Sequence, residues 1–189
     1  MIVIKLGGSL LPTQSLVQCL ECLERSFQNH AVIVVPGGGI FADQVRLSQQ
    51  LLGFNDTAAH RMAILAMQQM AILLQALSPG FDIAPHLPEI NPLEVGAGKL
   101  IWSPDIERLD TAGIPASWEV TSDSLAAWLA AQLHAEELIV LKSAAINPAD
   151  SLQDLQAEGV LDSAFCRYAE NVSGKISVLN AQTFLDKAK

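Results

Sequence analysis

The sequence predicts an α/β fold, an open and mainly parallel sheet sandwiched between helices in an αβα arrangement. Three observations carry this. Short, predominantly apolar runs recur at "IVIK", "AVIVV" and "ELIVL", the pattern of strands covered on both faces. Between the first two runs lies a segment with helical spacing, so the opening fifty residues read strand, glycines, helix, strand, glycines, helix. That order implies parallel strands joined by crossover helices. Finally, half of the 189 residues are apolar and only 16% are charged, enough to bury a substantial core and too apolar for disorder.

The elements follow in order. Ile2 to Lys5 is the first strand. Ser15 to Phe27 carries Leu16, Val17, Leu20, Leu23 and Phe27 at helical spacing. Ala31 to Val35 is the second strand, and after "PGGG" the residues from Phe41 to Leu52 form a helix. Thr57 to Leu77 is a long helix ended by Ser78, Pro79 and Gly80, with its methionines as core filler. Residues 81 to 119 are rich in proline and glycine and read as loops with short extended pieces such as "KLIWS". The stretch from His86 to Trp118 is expected to line a pocket. Ser122 to Leu133 is a helix with Thr121 or Ser122 as its cap and Asp123 in its first turn. Glu137 to Leu141 is the third buried strand. Weak helices near 151–158 and 162–169 and the strand "KISVL" complete the chain. One domain over 1–189 is expected, in two lobes that divide near residue 120.

The bulk numbers exclude several function classes. A net charge of -9 argues against a nucleic-acid footprint, which needs a basic face. It leaves room for an anionic small molecule at a locally positive site. Cys19 and Cys22 form a C-x-x-C inside a helical pattern, without a second ligand pair. They read as buried thiols rather than a redox or metal motif, so no metal ligands are expected. Thr57 to Leu77 carries His60, Arg61, Gln68, Gln69 and Gln75, so it is not a membrane span. The start is a strand running into glycines rather than a signal peptide, and cysteine usage fits a reducing cytoplasm.

Two strands end in glycines, Gly7-Gly8 and Gly37-Gly38-Gly39. Ligands of open α/β sheets bind outside the carboxyl ends of the strands. Glycines there let backbone N–H groups approach phosphate oxygens, although tight turns also use glycine. Neither cluster matches a P-loop or a dinucleotide fingerprint. Lys5 sits on the first strand just before its glycines. A buried lysine is costly alone and makes sense facing phosphate oxygens; the alternative is an edge lysine reaching solvent. Asp123 either complements the helix dipole or holds active-site lysines in place.

Taken in order, "VIKLGGSLL", "VIVVPGGGIFADQVR" and "TSDSLAAWLAAQL" followed by "ELIVL" resemble the amino acid kinase superfamily. That superfamily includes acetylglutamate, aspartate, uridylate and isopentenyl phosphate kinases. The resemblance covers residues 1 to about 142. Within it, "PGGGIFADQVR", "AAHRMAILAM" and "SWEVTSDSL" are most similar to the branch that phosphorylates a phosphate monoester in methanofuran biosynthesis. The resemblance implies a small-molecule kinase that uses ATP and Mg²⁺ to phosphorylate a phosphate monoester or a carboxylate, with a phosphoryl-acceptor lobe at 1–120 and a shortened C-terminal nucleotide lobe at 121–189. By it, Lys5 would bridge donor and transferred phosphoryl oxygens, and Gly7, Gly8 and Ser9 would hold the transferred group. Gly37, Gly38 and Gly39 would bind the acceptor, with Asp43, Arg46 and Ser122 shaping that pocket. Asp123 would orient the lysines. A small-molecule substrate, a cytoplasmic location and a homo-oligomer are expected, with neither nucleic acid nor membrane as partner.

The resemblance changes after the third buried strand. Superfamily members carry an acidic loop there that helps form the nucleotide site. This chain has "LKSAAINPAD" instead, and Pro148 demands a different path. The family's second catalytic lysine has three candidate replacements: Arg167, Lys175 and Lys142. An arginine in that place would be a distinct chemical solution. A second reading is therefore a kinase-like fold kept as a binding or regulatory protein.

Overall fold

The computed structural model describes residues 1–11, 14–85 and 98–187. Its strands are β1 (Ile2–Leu6), β2 (Val32–Pro36), β3 (Asp82–Ala84), β4 (Lys99–Trp102), β5 (Glu137–Lys142) and β6 (Lys175–Asn180). Its helices are α1 (Ser15–Ser26), α2 (Gly39–Leu52), α3 (Asp56–Leu77), α4 (Ile106–Thr111), α5 (Ser122–Gln132), α6 (Leu152–Ala157), α7 (Phe165–Ala169) and α8 (Ala181–Lys187). A single 3₁₀ turn, Gly8–Leu10, follows β1. The strands form one sheet in the order β3-β4-β2-β1-β5-β6, and every pair is parallel. The predicted sandwich is what the chain forms. β1 to β4 come from the first 120 residues, β5 and β6 from the rest, and both sets share this sheet.

Side chains alternate along each strand, so the apolar runs feed two cores. Val3, Val35, Leu138 and Val140 face α5, α3 and α7, packing with Leu125, Leu129, Met67 and Phe165. Ile4, Leu6, Val34 and Leu141 face α1 and α8, packing with Leu16, Leu20, Leu23 and Phe184. Cys19 and Cys22 are buried in this second core, and burial drives the Cys19 thiol up to about 12, the behaviour of inert core thiols.

β1 lies centrally, with β2 on one side and β5 on the other in matched register: Lys5 stands opposite Val35 and Val140. The chain leaves β1 toward β2 and later returns to its other side. The carboxyl ends of β1, β2 and β5 therefore surround a switch point, where open α/β sheets form ligand crevices.

The elements differ from expectation in places. β3, α4 and α8 are short and carry weak periodicity. The second helix begins at Gly39 because that glycine, at φ +54°, turns directly into it. Of the expected pocket stretch from His86 to Trp118, residues 86–97 lie outside the described residues. No helix among the described residues is long and apolar enough to cross a membrane.

Candidate active site

A cavity of about 550 Å³ opens at the carboxyl ends of β1, β2 and β5. Lys5 reaches it from β1. Lys5 alternates with Ile4 and Leu6, so its side chain leaves the sheet on the α5 face, at the edge where α5 begins. There it meets Asp123, one residue into that helix. The Lys5 Nζ to Asp123 Oδ1 distance is 2.7 Å, and both side chains are nearly inaccessible, at 4% and 5%. The other carboxylate oxygen is taken by Lys142, the last residue of β5: Nζ to Oδ2 is 2.6 Å. One carboxylate thus bridges two ammonium groups from neighbouring strands.

The electrostatics follow from this geometry. Burial pushes the Asp123 carboxyl upward, but the charges and hydrogen bonds of Lys5 and Lys142 outweigh it and hold the group below the usual carboxylate range. Burial, reinforced by the charge of Lys5, pulls Lys142 from its ordinary 10.5 down to about 8, with Asp123 opposing. Two buried cations sharing one anion leave a surplus positive charge in the cavity, which an anionic ligand would balance.

The two glycine turns meet each other beneath this bridge. A Cβ on Gly8 would run into the backbone N of Gly39, and one on Gly37 would stand 2.5 Å from Gly8 N. Glycine is required here first because backbone packs on backbone. The N–H groups of Gly7 and Gly37 donate to Leu141 O and Leu6 O, both at 2.9 Å, extending the sheet. Those two donors are consumed. Among the described residues, the N–H groups that follow, at Gly8 and Gly38, have no such backbone acceptor. A phosphate group near the turns would be met by these later donors.

Ser9, Gly38, Gly39, Asp43, Arg46 and Ser122 line the same cavity. Arg46 stacks on the Trp118 ring at 4.4 Å and donates to Asp43 at 3.3 Å. Trp118 is fixed by its Nε1, which donates to Gln49 Oε1 at 2.6 Å. His60, buried on α3, also lines the cavity. Its Nδ1 donates to Ser117 O at 3.1 Å, since a carbonyl only accepts. Burial lowers its pKa, against the opposing effects of that bond and of Asp110.

Two expected residues stand elsewhere. Arg167 is exposed on α7, with its guanidinium 5.1 Å over the Tyr168 ring. Lys175 pairs with Glu137 at 3.0 Å and is 73% exposed. It opens β6, paired with the start of β5, roughly 17 Å along the strand from Lys142. The physical reason is that Lys142 already stands where a second ammonium group can share Asp123. Sequence reasoning missed Gln49, His60 and Asp162. His60 had looked like one polar position on an apolar helix, and Asp162 like the first residue of a weak helix.

The donor set fits the phosphates of ATP: surplus buried positive charge beside unpaired backbone donors. It does not fit a protein cage for Mg²⁺. Asp123 is held by both lysines, Asp43 by Arg46, and Asp162 accepts bonds from Thr121 and Ser124. Among the described residues no group of three or more His, Cys, Asp or Glu side chains gathers as metal ligands.

Comparison with known proteins agrees with this layout. The amino acid kinase family model matches residues 1–86. [5-(Aminomethyl)furan-3-yl]methyl phosphate kinase of Methanocaldococcus jannaschii is 26% identical over 145 residues, 73% of this chain and 63% of the relative. The match thus spans less than two thirds of that relative's length. Uridylate kinase from Archaeoglobus fulgidus superimposes with a TM-score of 0.72 at 21% identity, over 99% of this chain and 94% of that one. Aspartate kinase from Synechocystis gives 0.68 at 18% identity, over 96% of this chain and 38% of that one. The match to the amino acid kinase family thus runs over both glycine turns and the strands that lead into them, and the chain shares the fold of these solved kinases.

Proposed function

We propose that the chain is an ATP-dependent phosphotransferase acting on a small phosphate monoester, of the chemical class named for its archaeal relative. The observation that carries this reading is the Lys5–Asp123–Lys142 bridge beside the glycine turns. Phosphoryl transfer asks a protein for positioning and charge neutralisation rather than covalent chemistry. When bound, ATP would supply the γ-phosphoryl group. Lys5 and Lys142 would neutralise charge on the transferred oxygens, and Asp123 would keep the two ammonium groups apart yet close enough to act on one group. Gly8 and Gly38 would contribute N–H donors. On the α2 side, Arg46 is held by Trp118 and Asp43, with its remaining guanidinium donors available to the acceptor's phosphate.

Turnover of ATP with Mg²⁺ over a panel of phosphate monoesters tests this. The wild-type chain should convert at least one acceptor, and Lys5→Ala should lose that conversion by about 10² or more. Equal inertness of the two across the panel would overturn the proposal.

One observation favours a second reading, a kinase fold kept for binding or regulation. The loop after β5 lacks the acidic residues of the superfamily and is held by different bonds: Asn147 Nδ2 donates to Asp150 Oδ1 at 3.0 Å, and Asn180 Nδ2 to the Ser143 and Ala144 carbonyls at 3.0 and 2.8 Å. Titration calorimetry separates the readings. Micromolar binding of ATP or ADP supports the kinase; absence of nucleotide binding with retained binding of a phosphate monoester supports the alternative.

A further inference from the structure

We infer that Asp162 is a positioning residue for the lysine bridge: its carboxylate acts as the missing N-cap of α5 and so sets where Asp123 stands between Lys5 and Lys142. For its kinetic consequence the inference rests on the kinase reading; its geometric consequence does not.

Thr121 is the N-cap of α5, in an extended conformation, yet its side chain caps nothing within its own helix. Its hydroxyl instead donates to Asp162 Oδ2 at 2.7 Å. The same oxygen accepts the backbone N–H groups of Thr121 at 2.9 Å and of Ser124 at 3.0 Å. The Ser124 hydroxyl donates to Asp162 Oδ1. All four donors belong to the two residues that flank Ser122 and Asp123. An ordinary cap side chain accepts one or two N–H groups from its own first turn. Here a carboxylate from 38 to 41 residues further along the chain grips both ends of that turn. The Ala164 N–H adds a bond to Glu119 O at 3.2 Å, so the segment carrying Trp118 and Asp123 is docked on residues 162–164.

The grip has a target because Asp123 has no slack. It is buried, and each oxygen already holds one ammonium group. A first turn free to fray would move that carboxylate against both lysines at once, and displacements of about 1 Å are enough to cost a reaction centre about a hundredfold. Carboxylates at helix N-termini are favourable in their own right, which alone would give Asp162 a stabilising role. Local coupling to the lysines is what distinguishes positioning from capping.

The experiment uses the full chain and three readouts: thermal unfolding, kinetics, and the pH dependence of acetic anhydride labelling of Lys142, with exposed Lys175 as internal control. Labelling needs no turnover. In the wild type, Lys142 should titrate near the value of about 8 set by its burial and neighbours. Asp162→Ala should move that midpoint by about half a pH unit or more, leave Lys175 unmoved, and lower kcat about 10- to 100-fold with a smaller change in KM. Asp162→Asn keeps one acceptor oxygen and should recover part of both. Asp154→Ala removes a reciprocal cap with Ser151 on α6 and should lower stability without moving Lys142. If Asp162→Ala does not fold, Thr121→Val and Ser124→Ala, each losing one side-chain donor, should shift Lys142 in the same sense by less. An unmoved midpoint in the folded variants overturns the inference, as does an equal shift in Asp154→Ala. A moved midpoint in a chain inert with every acceptor supports the positioning role and sinks the kinase reading instead.

Discussion

The two flanks of the crevice are built from different materials. On the β1–β2 flank, two glycine turns touch backbone to backbone, with no room for a single added carbon at Gly8. On the β5–β6 flank, side chains do the holding. The Ser143 hydroxyl donates to Ser9 Oγ at 2.7 Å, and Asn180 holds the carbonyls that follow β5. Backbone contact at van der Waals distance tolerates almost no substitution. Exposed side-chain bonds each contribute about 1 kcal/mol and can be exchanged. The rigid flank is the one that matches the family model, and the exchangeable flank lies outside that match. Asp123 spans the two, one oxygen to a lysine of each.

Substituting that span should have the largest effect. Asp123→Ala strands two buried ammonium groups, and breaking such a network costs about 3–5 kcal/mol; urea denaturation should show it. Next comes Gly8→Ala, where overpacking against Gly39 should cost about 1–3 kcal/mol. Ser143→Ala on the opposite flank should stay near 1 kcal/mol or below. Equal losses from the last two would erase the contrast between the flanks.

The pH dependence sharpens the role of Lys142. Its folded pKa, about 8, lies below its ordinary 10.5, so the proton leaves the folded chain first. As the charge is lost, kcat/KM should fall with rising pH through about 8. In the ternary complex, phosphate charge should hold that proton longer and move the fall in kcat to higher pH. For stability the sign is opposite. Between about 8 and 10.5 the unfolded chain binds the extra proton, so this group's contribution to stability rises with pH. Asp123 works at the acid end. Its lowered pKa stabilises the fold above the ordinary carboxylate value, and that contribution is lost as pH falls through the folded value.

Asn180→Ala should have an effect as small as that of Ser143→Ala. Two carbonyls lose a donor at the exposed edge beyond β5, so stability should drop by about 1 kcal/mol. If the loop after β5 forms the nucleotide site, KM for ATP should rise a few-fold while KM for the acceptor holds. A change in the acceptor instead would place the nucleotide elsewhere.

Much of the fold was legible because parallel strands buried on both faces write themselves as uninterrupted apolar runs, as "AVIVV" and the "LIVL" of β5 do. Short elements were not legible. β3 has three residues and α4 six, too few for a period to show. Within the site, Lys5 and the glycines were readable because both are anomalous in a buried strand. Lys142 was one of three candidates, since its sequence position says only that it ends a strand. Asp162 offered no signal at all, because its four donors lie 38 to 41 residues away.

What the sequence determined by itself is the local chemistry: which runs are buried on both faces, where the backbone must turn tightly, and which charge interrupts an apolar strand. These follow from residue type and near neighbours. Only the tertiary structure decided which cation partners Asp123, which glycine N–H groups are spent on the sheet, and what holds the start of α5. Those outcomes depend on strand order and register. The sheet sets Lys5 and Lys142 on adjacent strands, 137 residues apart in the chain, within reach of one carboxylate. The same parallel register carries Lys175 to the opposite end.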